Sequence, residues 1–262
     1  MYLFGFGSEW LFTATFTYFI VFVLQRSSTL VSELNSMSSI LQLISTAIFI
    51  VICAKKGFSK PFSGALSVVI MAVIAYIVIW ALHIPHLTWL VVAVTAIFGL
   101  GTGGVYYIPW TVYTFMADVD ELVTNRRREG IYSGAMTMAG KLVRATVVFI
   151  LGVVLAQFGF KEGASVQPTS AVHAIIGVLI IGVIGLALLG QFFSHRMKLD
   201  HKTHQIVLDE LDRIHKGGKK ADVTPETKAV VEELTGFKYE DCFGNNTVGY
   251  HDKKEQTIVP QH

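Results

Sequence analysis

Lys141 and Arg144 stand three residues apart in a stretch, 130–158, that is otherwise almost wholly apolar. A charged side chain in hydrocarbon costs several kcal/mol unless it is paired or hydrated, so such a residue marks a functional site by default. If a helix begins near Gly130, a rise of about 1.5 Å per residue carries Lys141 about 16 Å deep, close to the middle of a bilayer. That is too far for its ammonium to reach headgroups on the near side. Two readings follow: a structural ion pair with a carboxylate on a neighbouring helix, or a cation lining a polar pathway. Arg144 shares much of the same helix face. It either snorkels to the far interface or lines the same cavity.

Upstream, ending twelve residues before Lys141, lies a dense cluster of both signs: Asp118, Asp120 and Glu121, then Arg126, Arg127, Arg128 and Glu129. As a plain topogenic loop its ion pairs would each contribute about 0–1 kcal/mol. As a gate, its charges would pair in one state of the protein and separate in another. Before it come Tyr106, Tyr107, Trp110 and Tyr113, an aromatic group around Pro109. Proline removes a backbone donor, which predicts a kink near Val105. Aromatic faces suit sugar rings, and they also serve as packing or interface anchors. Glu9 is placed near the start of the first helix, within reach of headgroups. His195, His201, His204 and His215 show no metal-ligand spacing and read as solvated residues. No hydrolase, zinc-peptidase or phosphate-loop pattern is present, and the glycines at 99–104 follow no strand, so the sequence argues against an enzyme.

These residues must be positioned by membrane helices. Of 262 residues, 52% are hydrophobic and 15% charged, with a mean hydropathy of +0.54; soluble domains carry about 25% charged residues. Six apolar segments are long enough to span hydrocarbon, near 3–24, 34–54, 62–82, 87–115, 130–158 and 171–194. The second is the most polar (Ser36, Ser38, Ser39, Gln42, Ser45, Thr46) and so has a face toward protein or water. Gly99 and Gly103, four apart, permit close helix packing. One set of loops holds Lys55, Lys56, Lys60, Arg126, Arg127, Arg128, Arg196 and Lys198; the other holds Arg26 and Lys161, with His83 and His86. This bias places both termini in the cytoplasm. The N-terminus has no basic region or cleavage site of a signal peptide, and Cys53 and Cys242 fit no metal or redox spacing. The expected organisation is a six-helix transmembrane part, 1–198, and a partly helical cytoplasmic tail, 199–262. In the tail, Thr203–Ile214 has one apolar face and a second short helix starts at Thr224–Pro225 and ends before Gly236; the rest reads as loosely structured. Asn245-Asn246-Thr247 matches a glycosylation sequon that has no meaning on the cytoplasmic side. The small net charge, +2, gives no ground for nucleic-acid binding.

Met116-Ala117-Asp118-Val119-Asp120, Arg128-Glu129-Gly130 and Lys141 resemble the loop between helices ten and eleven, and helix eleven, of the glycoside-pentoside-hexuronide:cation symporters of the major facilitator superfamily. Leu199–Leu211 is similar to the segment after their last helix. The resemblance covers about residues 1–215. Leu142 departs from it, where a glycine is frequent, as does the added charge of Arg127. It implies an all-α integral membrane protein whose six helices correspond to the C-terminal half of a twelve-helix fold. It also implies symport of a sugar, glycoside or sugar acid with Na⁺ or H⁺ by alternating access in a bacterial inner membrane, with no cofactor beyond the coupling cation. Lys141 falls on the family's helix-eleven lysine in the sugar and cation pathway, and Asp118, Asp120, Arg128 and Glu129 fall on its cytoplasmic gate. The family's cation-holding carboxylates belong to the first half, so the implied partners are the substrate, the cation, the bilayer and a complementary N-terminal six-helix half, in the same gene product or a separate chain. Two rival readings are a homodimeric half-size carrier and a non-transporting membrane protein whose tail recruits a cytoplasmic partner.

Overall fold

A computed structural model of the chain describes residues 1–82, 88–246 and 248. His83, His86, the expected start of the fourth helix at residue 87, Thr247 of the sequon and the end of the tail lie outside the described residues.

The described chain is all-helical. The six spans are α1 Tyr2–Tyr18, continued by a π-helical segment Phe19–Val23; α2 Ser28–Lys56; α3 Ser59–Ala81; α4 Thr88–Thr124; α5 Glu129–Gln157; and a sixth made of α6 Thr169–Gly177, a π-helical segment Val178–Ile184 and α7 Gly185–His195. All six are long and apolar enough to cross a membrane. Two extend well outside the apolar windows, α2 at its start and α4 at its end, while α5 begins within one residue of its expected start. α2 starts at Ser28 because Ser27 caps it, its hydroxyl accepting from the Leu30 N–H. α5 starts at Glu129, whose charge suits a helix N-terminus. α4 runs nine residues past 115, so Asp118, Asp120 and Glu121 sit on a helix. It ends at Asn125, which takes the left-handed conformation (φ 53°) common to helix C-termini. α4 is assigned helical throughout, Pro109 included.

The chain divides into two compact units. The first comprises residues 1–111 and 135–197, and its tightest packing joins α1, α3 and the sixth span. Glycines set the distances. A methyl group at Gly99 would stand 2.7 Å from the Ser38 carbonyl oxygen of α2, and one at Gly103 2.8 Å from that of Gln42. Ser45 of α2 donates to the Leu100 carbonyl at the same crossing. Facing α3, a methyl at Gly101 would stand 3.1 Å from the Ala65 carbonyl oxygen. Lipid offers helices no hydrophobic drive to associate, so such close backbone approach supplies much of the attraction. Across the α1 side, Ser8 donates to the Val183 carbonyl (2.9 Å), satisfying backbone in the π-helical segment.

The second unit comprises 112–134 and 198–262, so the end of α4 and the start of α5 group with the tail and not with the other helices. The boundary expected at residue 198 lacks this exchange. α8 (His201–His215) opens with a capping box at Asp200 and Thr203, and α9 (Pro225–Thr235) with Thr224 as cap and Pro225 in its first turn. The tail beyond residue 216 is not loose as far as residue 246. Leu122 of α4, Val207, Leu211, Val231, Tyr239, Cys242 and Phe243 form one buried core. The amides of Phe243 (2.6 Å) and Gly244 (3.0 Å) donate to the carbonyls of Leu122 and Val123, and Asn246 Nδ2 adds a second bond to Val123 (2.7 Å). A helix end leaves carbonyls without intrahelical partners, and here the tail supplies them.

Gly103→Ala should lower stability by about 1–3 kcal/mol, since backbone must move. Gly64→Ala, where a methyl meets nothing within 4 Å, should be neutral or stabilise by up to about 1 kcal/mol through helix propensity. Thermal unfolding of both variants in detergent checks the contrast.

Candidate functional site

In the first unit the polar centre is Glu9. It lies seven residues into α1, about 10 Å along the helix, and is only 8% exposed. Its expected position among headgroups is therefore wrong: the side chain turns inward. Tyr106 of α4 donates its hydroxyl to Oε2 (2.8 Å) and Thr13, one turn on along α1, donates to Oε1 (3.0 Å). The Tyr106 ring packs edge-on against Phe6, which in turn packs against Trp10. Tyr106 thus leaves the expected aromatic group to hold a carboxylate. Arg144 of α5 is close enough for its charge to act on both Glu9 and Tyr106.

Lys141 and Arg144 are exposed on α5, between exposed apolar neighbours Met138, Leu142, Val148 and Phe149. Among the described residues neither makes a salt bridge, so the reading of Lys141 as one half of an ion pair within this chain finds no partner there. Tyr107 is half-buried and Trp110 exposed, both in the first unit. Tyr113 belongs to the second unit, where its hydroxyl donates to the Glu129 carbonyl (3.1 Å).

The charged cluster of the second unit is paired, though not as two opposed rows. Arg128 grips Asp120 with two bonds, Nε to Oδ2 (2.8 Å) and a terminal nitrogen to Oδ1 (2.5 Å). Arg127 and Glu129 pair at 2.6 Å but are 68% and 57% exposed, so the pair contributes little. The other two acids turn to the tail. Asp118 meets His204 Nε2 at 2.7 Å, and the His204 ring stacks on Phe115 with centroids 3.6 Å apart. Glu121 meets His215 Nε2 at 3.4 Å. His204 is buried, so the reading of the tail histidines as solvated fails for it. Beyond these, Glu210 accepts from Arg213 Nε (2.9 Å) and from the buried Tyr239 hydroxyl. Burial pushes the Glu210 carboxyl up, but the hydrogen bonds from Arg213 and Tyr239 outweigh it and hold the group below the ordinary glutamate range. Burial likewise raises the Cys242 thiol above its usual value.

The family model described as MFS/sugar transport protein matches residues 1–201. The chain belongs to that family. It is a multi-pass membrane protein of a transporter family, not an enzyme. It is also 37% identical over 82 residues to an uncharacterized symporter of Synechocystis sp.; that stretch is 29% of this chain and 15% of the relative. No solved structure matches the chain.

Because Glu210 is depressed when folded, it stabilises the second unit above the unfolded glutamate value, about 4.3, and that contribution is lost as pH falls through the lower folded value. Hydrogen exchange of peptides in 201–246, corrected for intrinsic rate, should show protection falling as pH drops below about 4. Glu210→Gln should be less protected at neutral pH and show a smaller acid loss. Cys242, fully buried and with a raised thiol, should resist iodoacetamide at neutral pH until the unit is unfolded in denaturant, as mass spectrometry of the tail peptide would report.

Proposed function

We propose that this chain is the C-terminal half of a sugar, glycoside or sugar-acid carrier that couples transport to Na⁺ or H⁺ by alternating access. Family membership and the symporter relative support the general class. The observation that carries the half-carrier reading is the face of α5. Two cations stand exposed there amid apolar side chains, in a helix apolar enough to span a membrane. Hydrocarbon would make that face unstable, so a complementary helix bundle with carboxylates, enclosing a water-filled pathway, has to cover it.

Within this reading Lys141 and Arg144 line the pathway. The paired charges at the end of α4 and start of α5 act at its cytoplasmic mouth. The distribution of Lys and Arg supports an orientation with both termini in the cytoplasm.

Co-reconstitution with a complementary six-helix half should give sugar-dependent cation uptake that Lys141→Ala lowers about tenfold or more. Uptake by this chain alone at full rate would favour the homodimer. Absence of sugar-dependent flux in either preparation, with Lys141→Ala indistinguishable from the parent, would sink the transport reading.

A further inference from the structure

The half that the family resemblance leaves without a cation site holds a buried carboxylate inside its own helices. We propose that Glu9 is a proton-binding site of this chain, loaded through the half-buried hydroxyl of Tyr106 and charge-balanced by Arg144. The proposal rests on the symporter reading for its meaning and on the Glu9 geometry for its evidence.

Four observations converge. Glu9 lies within a span, buried, where an idle ionised carboxylate would be costly. Each of its oxygens accepts one hydroxyl, from residues 4 and 97 positions away, so the site is built and not incidental. Both donors are hydroxyls, and no ammonium or guanidinium bonds to it among the described residues. A hydroxyl can donate to the carboxylate and accept from the carboxylic acid, so the same three side chains serve both protonation states. Last, the position adjoins a π-helical segment. Ser8 is bonded to Val183 there and Leu11 lies where a methyl group on Gly182 would fall, 2.6 Å away. π-Helical turns recur at functional sites.

The charged and titratable groups facing Glu9 are few. On α4 it is Tyr106, and on α5 Arg144. The packed sixth span carries only His173 near its start, edge-on to Trp80, and His195 at its end; α3 carries only Lys60 in its first turn and the buried Tyr76, which is occupied with Thr95. Arg144 is exposed, so the water or partner that reaches it also sets the charge Glu9 feels. Protonation forms one O–H bond on the carboxylate and neutralises it, with a proton from solvent as the sole reactant. Protonation thereby removes the negative charge that Arg144 feels, without breaking a bond to it. A single carboxylate with two hydroxyls falls short of the six or so oxygens that a hard metal cation gathers, which favours the proton over Na⁺.

The test is infrared difference spectroscopy of the full chain in lipid vesicles, titrated from about pH 9 to about pH 4, because it reads the carboxyl group directly and needs no transport. The expected result is a protonated-carboxyl band that grows as pH falls, vanishes in Glu9→Gln, and moves to higher frequency in Tyr106→Phe as a hydrogen bond to the carboxyl is lost. A band unchanged in Glu9→Gln, or no band at all in the parent, overturns the proposal. So does a band erased by sodium chloride but not by choline chloride, which would assign the site to Na⁺. None of these outcomes depends on whether the chain carries sugar, so failure here leaves the symporter reading to its own experiment.

Discussion

The cost of leaving charge in hydrocarbon governs this protein. Each ionisable group in the spans must find a partner, and the chain solves the problem in two ways. Glu9 is satisfied internally, by hydroxyls from α1 and α4 and by the field of Arg144. Lys141 is not, and neither its burial nor its pairing is arranged within the described residues. In the half-carrier reading proposed above, its partner comes from outside the unit. That asymmetry, one charge settled and another left on display, is what makes the first unit read as one wall of a pathway.

In the second unit water lowers the stakes and the same residue types do different work. Exposed pairs such as Arg127 with Glu129 add little. The buried ones fix the tail: Asp118 with His204, Glu210 with Arg213 and Tyr239. Around them an apolar core centred on Leu122 ties the end of α4 to residues more than 80 positions later. A tail that caps the last carbonyls of a membrane helix senses that helix directly. Any movement of the α4 end must either carry the tail with it or break the bonds to Leu122 and Val123.

Much of this was legible in the sequence. Hydropathy gave all six spans, and Thr224 and Gly236 bounded the second tail helix because capping is local chemistry; the cap at Asp200, which starts α8 two residues before Thr203, was not read. The glycines at 99 and 103 gave a close crossing for the same reason: four-residue spacing puts them on one face. What stayed hidden depended on partners distant in sequence. Glu9 read as a headgroup residue because nothing near it announces Tyr106, 97 positions away. His204 read as solvated because the α8 pattern marks an apolar face but not that Asp118 and Phe115 complete it. Helix ends set by Ser27 and Asn125 escaped a reading based on apolar length, and so did the π-helical turns, which leave no mark in composition.

The proposed pathway requires another helix bundle over the cationic face of α5. A photo-crosslinking amino acid at Val148, exposed and on the side of Lys141 and Arg144, tests this in the membranes of the source cell. The expected product is a protein adduct whose peptides map to a second set of membrane helices carrying acidic residues. Adducts to lipid alone would contradict it and leave Lys141 facing hydrocarbon without a partner.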